Sequence, residues 1–92
     1  KRYIEVALSY EPNNHYILDS MGWIHFKLGN LEIALQFIKK AYTIIKDPEI
    51  AAHLGEILWI QGKKEEAKEV WNNSLNLYPS NTVLRETTNR FR

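Results

Sequence analysis

The chain repeats itself at a fixed offset, and that periodicity limits its fold more than any single residue does. Gly22, Gly29 and Ala34 recur as Gly55, Gly62 and Ala67, each 33 residues on, and Ile17, Ile24 and Glu32 recur as Ile50, Ile57 and Glu65. The preceding interval is 34, which puts Ile4 and Ala7 in register with Ile38 and Ala41. Pro12 and Pro79 lie 67 apart, 34 plus 33. A period of this length describes a small unit that cannot bury its apolar face alone and must stack on its neighbours.

Each period reads as two helices. Ile17, Leu18, Met21, Ile24 and Leu28 fall on one helical face. Gly29-Asn30 breaks that helix, with Asn30 placed to cap the next. The second helix carries Leu31, Ala34, Leu35, Ile38, Ala41, Tyr42 and Ile45. Asp47-Pro48-Glu49 is a start signal, combining a capping carboxylate, a proline at the first helical position and an acid in the first turn. The helix it opens buries Ile50, Ala51, Leu54, Ile57 and Leu58 and stops at Gly62. Its partner presents Ala67, Val70, Trp71, Ser74, Leu75 and Tyr78, and a last helix over 82–92 offers Leu84, Thr87 and Phe91. Residues 2–10 read as the second helix of an earlier, truncated repeat. Five helices are expected after it. The expected boundaries are 1–12 for the truncated repeat, 13–46 and 47–79 for two full repeats, and 80–92 for a C-terminal capping helix.

Gly22 and Gly55 sit in mid-helix, where glycine costs about 1 kcal/mol relative to alanine. That cost at one repeat position, twice, predicts close approach by the neighbouring helix, with Ala34 and Ala67 supplying its small surface.

Composition narrows the function. Twelve Lys and Arg against eleven Asp and Glu give a net charge of +1, which lacks the basic stripe that phosphate binding requires. The absence of cysteine removes disulfides and thiolate metal sites, and no apolar run approaches the ~18 residues of a membrane span. His15, His25 and His53 have no spacing that places two on one metal, and His25 falls on the core stripe as a hydrogen-bonded packing residue. Ser9, Ser20, Ser74 and Ser80 lie in no nucleophile motif. Glu65-Glu66 are first-turn acids favoured by the helix dipole. Neither catalysis, cofactor nor metal is expected. The chain opens at Lys1 without an initiator Met and in mid-pattern, and it reads as a piece of a longer protein.

The pattern resembles the tetratricopeptide repeat (TPR). It is carried by Met21-Gly22, Phe26, Gly29, Ala34, Ile38 and Ala41 in one repeat, and by Leu54-Gly55, Trp59, Gly62, Ala67, Trp71, Leu77 and Pro79 in the next. Leu18 and Ala51 stand where the family places a large aromatic, and Ser74 where it places a late alanine. The resemblance implies an all-α fold, an α-α superhelix of antiparallel helix pairs (a TPR solenoid), whose first helices line the concave side. Asp19-Ser20-Met21-Gly22-Trp23 and Ala52-His53-Leu54-Gly55-Glu56 are similar to the C-terminal repeats of bacterial envelope members, several of them outer-membrane lipoproteins that act as adaptors. That similarity implies a periplasmic or outer-membrane-tethered location if an upstream signal exists.

Helical spacing sets Tyr16, Asp19, Trp23, Phe26 and Lys27 on the face expected to line the groove. Glu49, Ala52, Glu56, Trp59 and Ile60 take the equivalent face of the next repeat, and Val83, Glu86 and Arg90 complete the wall. Large aromatics anchor most binding interfaces. The alternative for Phe26 and Trp59, implied by the resemblance, is partial packing against the adjacent helix. With Asp19, Trp23, Ala52 and Glu56 on the wall in place of lysines and asparagines, a partner segment carrying Lys or Arg beside apolar residues is expected. The reading is a scaffold that binds a protein or peptide segment, without nucleic acid or membrane insertion. Self-association into a homo-oligomer is the second reading, and a helical enzyme is the remote one.

Overall fold

A computed structural model describes residues 14–91. The helix expected over residues 2–10 lies outside them. The described residues form five helices and no strand: α1 His15–Lys27, α2 Leu31–Ile44, α3 Pro48–Ile60, α4 Lys64–Leu77 and α5 Thr82–Arg90. The chain divides after Ile45 into two compact units, one holding α1 and α2, the other α3, α4 and α5.

In the first unit α1 starts at Asn14, whose side-chain oxygen accepts from the backbone N–H of Tyr16 at 3.0 Å and of Ile17 at 3.2 Å. Gly29 stops it at φ +86°, a conformation that costs glycine little and other residues much. There the Gly29 N–H donates to the Phe26 carbonyl at 3.0 Å and the Asn30 N–H to the His25 carbonyl at 2.8 Å, closing the helix with a Schellman turn. The second repeat closes α3 the same way: Gly62 stands at φ +87°, its N–H reaches Trp59 O at 3.0 Å, and Lys63 N–H reaches Leu58 O at 2.8 Å. Asn30 does not cap α2 with its side chain, contrary to expectation. Its ψ of 72° departs from the extended values of the capping residues Asn14 (112°), Asp47 (136°) and Asn81 (120°). Its amide instead meets His25 Nδ1 at 3.2 Å.

Leu18, Met21, Ala34, Leu35, Ile38 and Ala41 form the buried core of this unit. Leu28 and Ile45, expected on the apolar stripes, are exposed (53% and 43%) because each is the residue on which its helix ends. Gly22 brings α1 against α2: a Cβ there would overlap the Ile38 side chain and lie 3.1 Å from the Ala34 carbonyl.

In the second unit Asp47 caps α3, accepting from Glu49 N–H at 2.8 Å and Ile50 N–H at 3.3 Å, with Pro48 opening the helix. Helix α3 buries residues around its whole circumference, from Ile50, Ala51 and Leu54 to Ile57 and Leu58. A helix that is apolar all round is covered on more than one side, and here both α4 and α5 pack on it. Ala67, Trp71 and Leu84 complete the core, while Tyr78, expected on it, is 42% exposed beside the end of α4. At Gly55 the neighbour is the Trp71 indole, whose ring would overlap any added Cβ. Both mid-helix glycines therefore mark close approaches, but the large residues of the neighbouring helix fill them, with Ala34 adding only a backbone carbonyl in the first unit.

Ser74 is 1% exposed, and its hydroxyl has no hydrogen-bond partner among the described residues. A buried unsatisfied hydroxyl costs about 1–3 kcal/mol, and serine is a poorer helix former than alanine. Ser74→Ala is expected to stabilise the protein by about 1 kcal/mol, a rise of ~4–8 °C in the thermal midpoint. Loss of stability on removing the hydroxyl would show that it holds a partner.

Candidate functional site

Helix α1 brings five of the expected site residues along one side. Tyr16 is 70% exposed, Asp19 is half-buried, and Lys27 is exposed. Trp23 and Phe26 are both half-buried. Their rings stack with centroids 4.8 Å apart at 26°. The Lys27 ammonium lies 5.0 Å from the Trp23 ring centroid and 5.8 Å from that of Phe26. Spacing of three and four residues makes this arrangement local to the helix. The result is an aromatic plate with a cation at its edge, and the cation–π contact contributes about 0.5–1 kcal/mol at a partly exposed site. Such a plate can receive apolar side chains. The stripe's expected acidity is offset by Lys27.

Of the wall expected on α3, Ala52 and Glu56 are covered, while Glu49 is exposed. Glu56 is 8% exposed, and its carboxylate accepts from the Arg90 guanidinium of α5 at 3.2 Å. Ala52 is fully buried, and its carbonyl accepts from Trp71 Nε1 at 3.4 Å. Trp59 is half-buried and stacks on Trp71 at 5.7 Å, while Phe91 tilts against it at 6.0 Å. Ile60 is 48% exposed at the end of the helix. Helical spacing identified the side of α3 opposite its main stripe correctly but assigned it to solvent, whereas α5 docks there. Glu56 and Arg90, expected to face a partner, face each other. Trp59 packs on rings of the neighbouring helices.

Trp71 and Phe91 lie on the apolar stripes of their helices. With Trp59 they form a three-ring cluster, Trp71 and Phe91 lying 5.9 Å apart at 26°. Lys64 Nζ sits 5.1 Å above the Trp59 ring. The spacing of Lys64, Lys68, Trp71 and Leu75 puts cations and apolar groups on one face of α4, the one part of this arrangement with a periodic signal. His25 stacks on Phe37 at 5.7 Å, as a packing residue should. No set of three His, Cys, Asp or Glu among the described residues is arranged to hold a metal, and no described helix is long and apolar enough to cross a membrane.

Comparison with known proteins agrees with the helix pairs. The family model for the tetratricopeptide repeat matches twice, over residues 15–48 and 48–81. The TPR repeat-containing protein MJ1428 of Methanocaldococcus jannaschii is 34% identical over 80 residues, covering 87% of this chain and 14% of that protein. The TPR repeat-containing protein PA4667 of Pseudomonas aeruginosa is 47% identical over 45 residues, covering 49% of this chain and 8% of its own length. Protein O-mannosyl-transferase TMTC1 of Homo sapiens is 28% identical over 72 residues, 78% of this chain and 8% of that protein. The chain thus spans 14% or less of the length of these curated relatives.

Proposed function

This chain belongs to the tetratricopeptide repeat family, and on that premise we infer that it is an interaction scaffold, an adaptor that grips a segment of another protein. Repeats of this family generally mediate protein–protein interaction. The finer reading places the contact on α1, the first helix of its pair, and rests on the stacked Trp23–Phe26 plate with Lys27 at its edge and Tyr16 exposed further along. Aromatic side chains of this kind dominate binding energy when a partner desolvates them. Asp19 gives the same side one carboxylate, so a segment with apolar residues beside a cation fits it. An envelope adaptor is the narrower reading, supported by the similarity of the α1 and α3 strings to bacterial envelope members. The transferase activity in the name of the human relative belongs to that protein, and the reading here is binding without catalysis.

The test uses photo-crosslinking residues at Tyr16 and Lys27 of the intact protein, with Lys39 and Lys40 on α2 as controls. A partner that crosslinks from α1 and not from α2 is expected. Trp23→Ala should weaken that partner's binding by about 2 kcal/mol, roughly thirtyfold. Crosslinks confined to α2, or full affinity in the variant, would move the contact elsewhere.

A further inference from the structure

Two adjoining pockets line the cleft between α4 and α5. One, of about 210 Å³, is walled by Trp59, Lys68, Trp71, Leu75, Thr88 and Phe91. The other, of about 200 Å³, is walled by Leu75, Pro79, Arg85, Thr88 and Asn89. Leu75 and Thr88 belong to both, so the two form a continuous groove. Each is smaller than the ~300–1,000 Å³ of a small-molecule site and is sized for one apolar side chain. The groove is electrostatically one-sided. Lys68 and Arg85 stand in its walls, and Lys64 overhangs Trp59. Neither pocket has a carboxylate in its lining among the described residues. Glu65, which meets Lys68 at 3.6 Å, is 92% exposed and stands outside the lining. Arg90 is committed to Glu56.

We propose that the α4–α5 cleft is a second docking groove, separate from the α1 plate, for an acidic protein segment that inserts two apolar side chains. One anchor rests on the Trp59–Trp71–Phe91 rings and the other against Leu75 and Pro79. The segment's carboxylates meet Lys64, Lys68 and Arg85. A nucleic acid is the poorer match, because three cations neutralise few phosphates.

The probe is a synthetic glutamate-rich peptide carrying one leucine and one phenylalanine, titrated into the isotope-labelled protein and followed by NMR. It should shift the indole N–H signals of Trp59 and Trp71 and the amides of Leu75 and Thr88, leaving Trp23 in place. Lys68 and Arg85 are exposed, so the double variant Lys68→Glu/Arg85→Glu should fold normally and bind the peptide at least about tenfold more weakly, in line with lost charge complementarity. Trp23→Ala should leave this titration unchanged, which separates its outcome from that of the α1 reading. Equal binding of the lysine-rich counterpart, shifts confined to α1, no shift at millimolar peptide, or tighter binding of an oligothymidylate in the same groove would each overturn the proposal.

Discussion

Gly55→Ala is expected to destabilise the protein by about 2 kcal/mol, although helix propensity alone would have it stabilise by about 1 kcal/mol. The reversal comes from Trp71. A Cβ on residue 55 would enter the space held by the indole Nε1, Cε2 and Cδ1 atoms, and a ring cannot yield by rotating one terminal methyl. Trp71 is 3% exposed, bonded to the Ala52 carbonyl and stacked on both Trp59 and Phe91, so displacing it disturbs the whole cluster. Gly22→Ala should cost less, because its nearest neighbours are Cγ1 and Cδ1 of Ile38, a slimmer obstacle than an indole, whose terminal methyl can still turn about χ2. Chemical denaturation of both variants checks the order. The double variant Gly55→Ala/Trp71→Leu should show favourable coupling, with the alanine costing less once the ring is gone. A stabilised Gly55→Ala protein, or additive energies in that cycle, would show that the indole is not what excludes the methyl.

The same two glycines show how far residues alone could be read. Their occurrence at one repeat position announced a close helix approach, and the approach is there. What filled it was harder to see. The repeat register points to the small residues Ala34 and Ala67 as partners, but helical side chains lean toward the N-terminus and cover the turn before their own. Ile38 and Trp71, four residues on, therefore reach back over that turn to meet the glycines. Helix starts were readable where the chain carried its own acceptor, as at Asp47. Asn30 misled because it is also the residue that completes the α1 turn, which fixes its backbone away from the capping geometry.

On α1 the site residues were readable because three- and four-residue spacing within one helix determines which of them meet. On α3 the same spacing found the right side of the helix and the wrong occupant. Nothing in the local pattern says that a later helix will lay Arg90 on Glu56 and Phe91 on Trp59, since that pairing joins residues 34 and 32 positions apart. The α4–α5 groove escaped for the same reason: its walls come from three helices, and only the Lys64–Leu75 stripe of α4 is periodic.

Trp71→Ala should be the most damaging single change, at about 3–5 kcal/mol, the range for deleting a large buried aromatic. Three losses combine. The cavity left over Gly55 has no side chain at that position to collapse into it. The ring contacts to Trp59 and Phe91 disappear, each worth about 0.5–1.5 kcal/mol beyond the area buried. The Ala52 carbonyl loses its indole donor. Against a total of about 5–15 kcal/mol for a domain of ordinary stability, this is enough to open the second unit well below the melting point of the parent. Because neighbouring repeats contribute to stability separately, the damage should be local. Amide exchange should accelerate in α3, α4 and α5 before it does in α1 and α2. Trp71→Phe keeps an aromatic ring over Gly55 and should retain more than half of the lost stability. A loss below about 1 kcal/mol for the alanine variant, or exchange that begins in α1 and α2, would mean that the ring cluster does not organise the second unit.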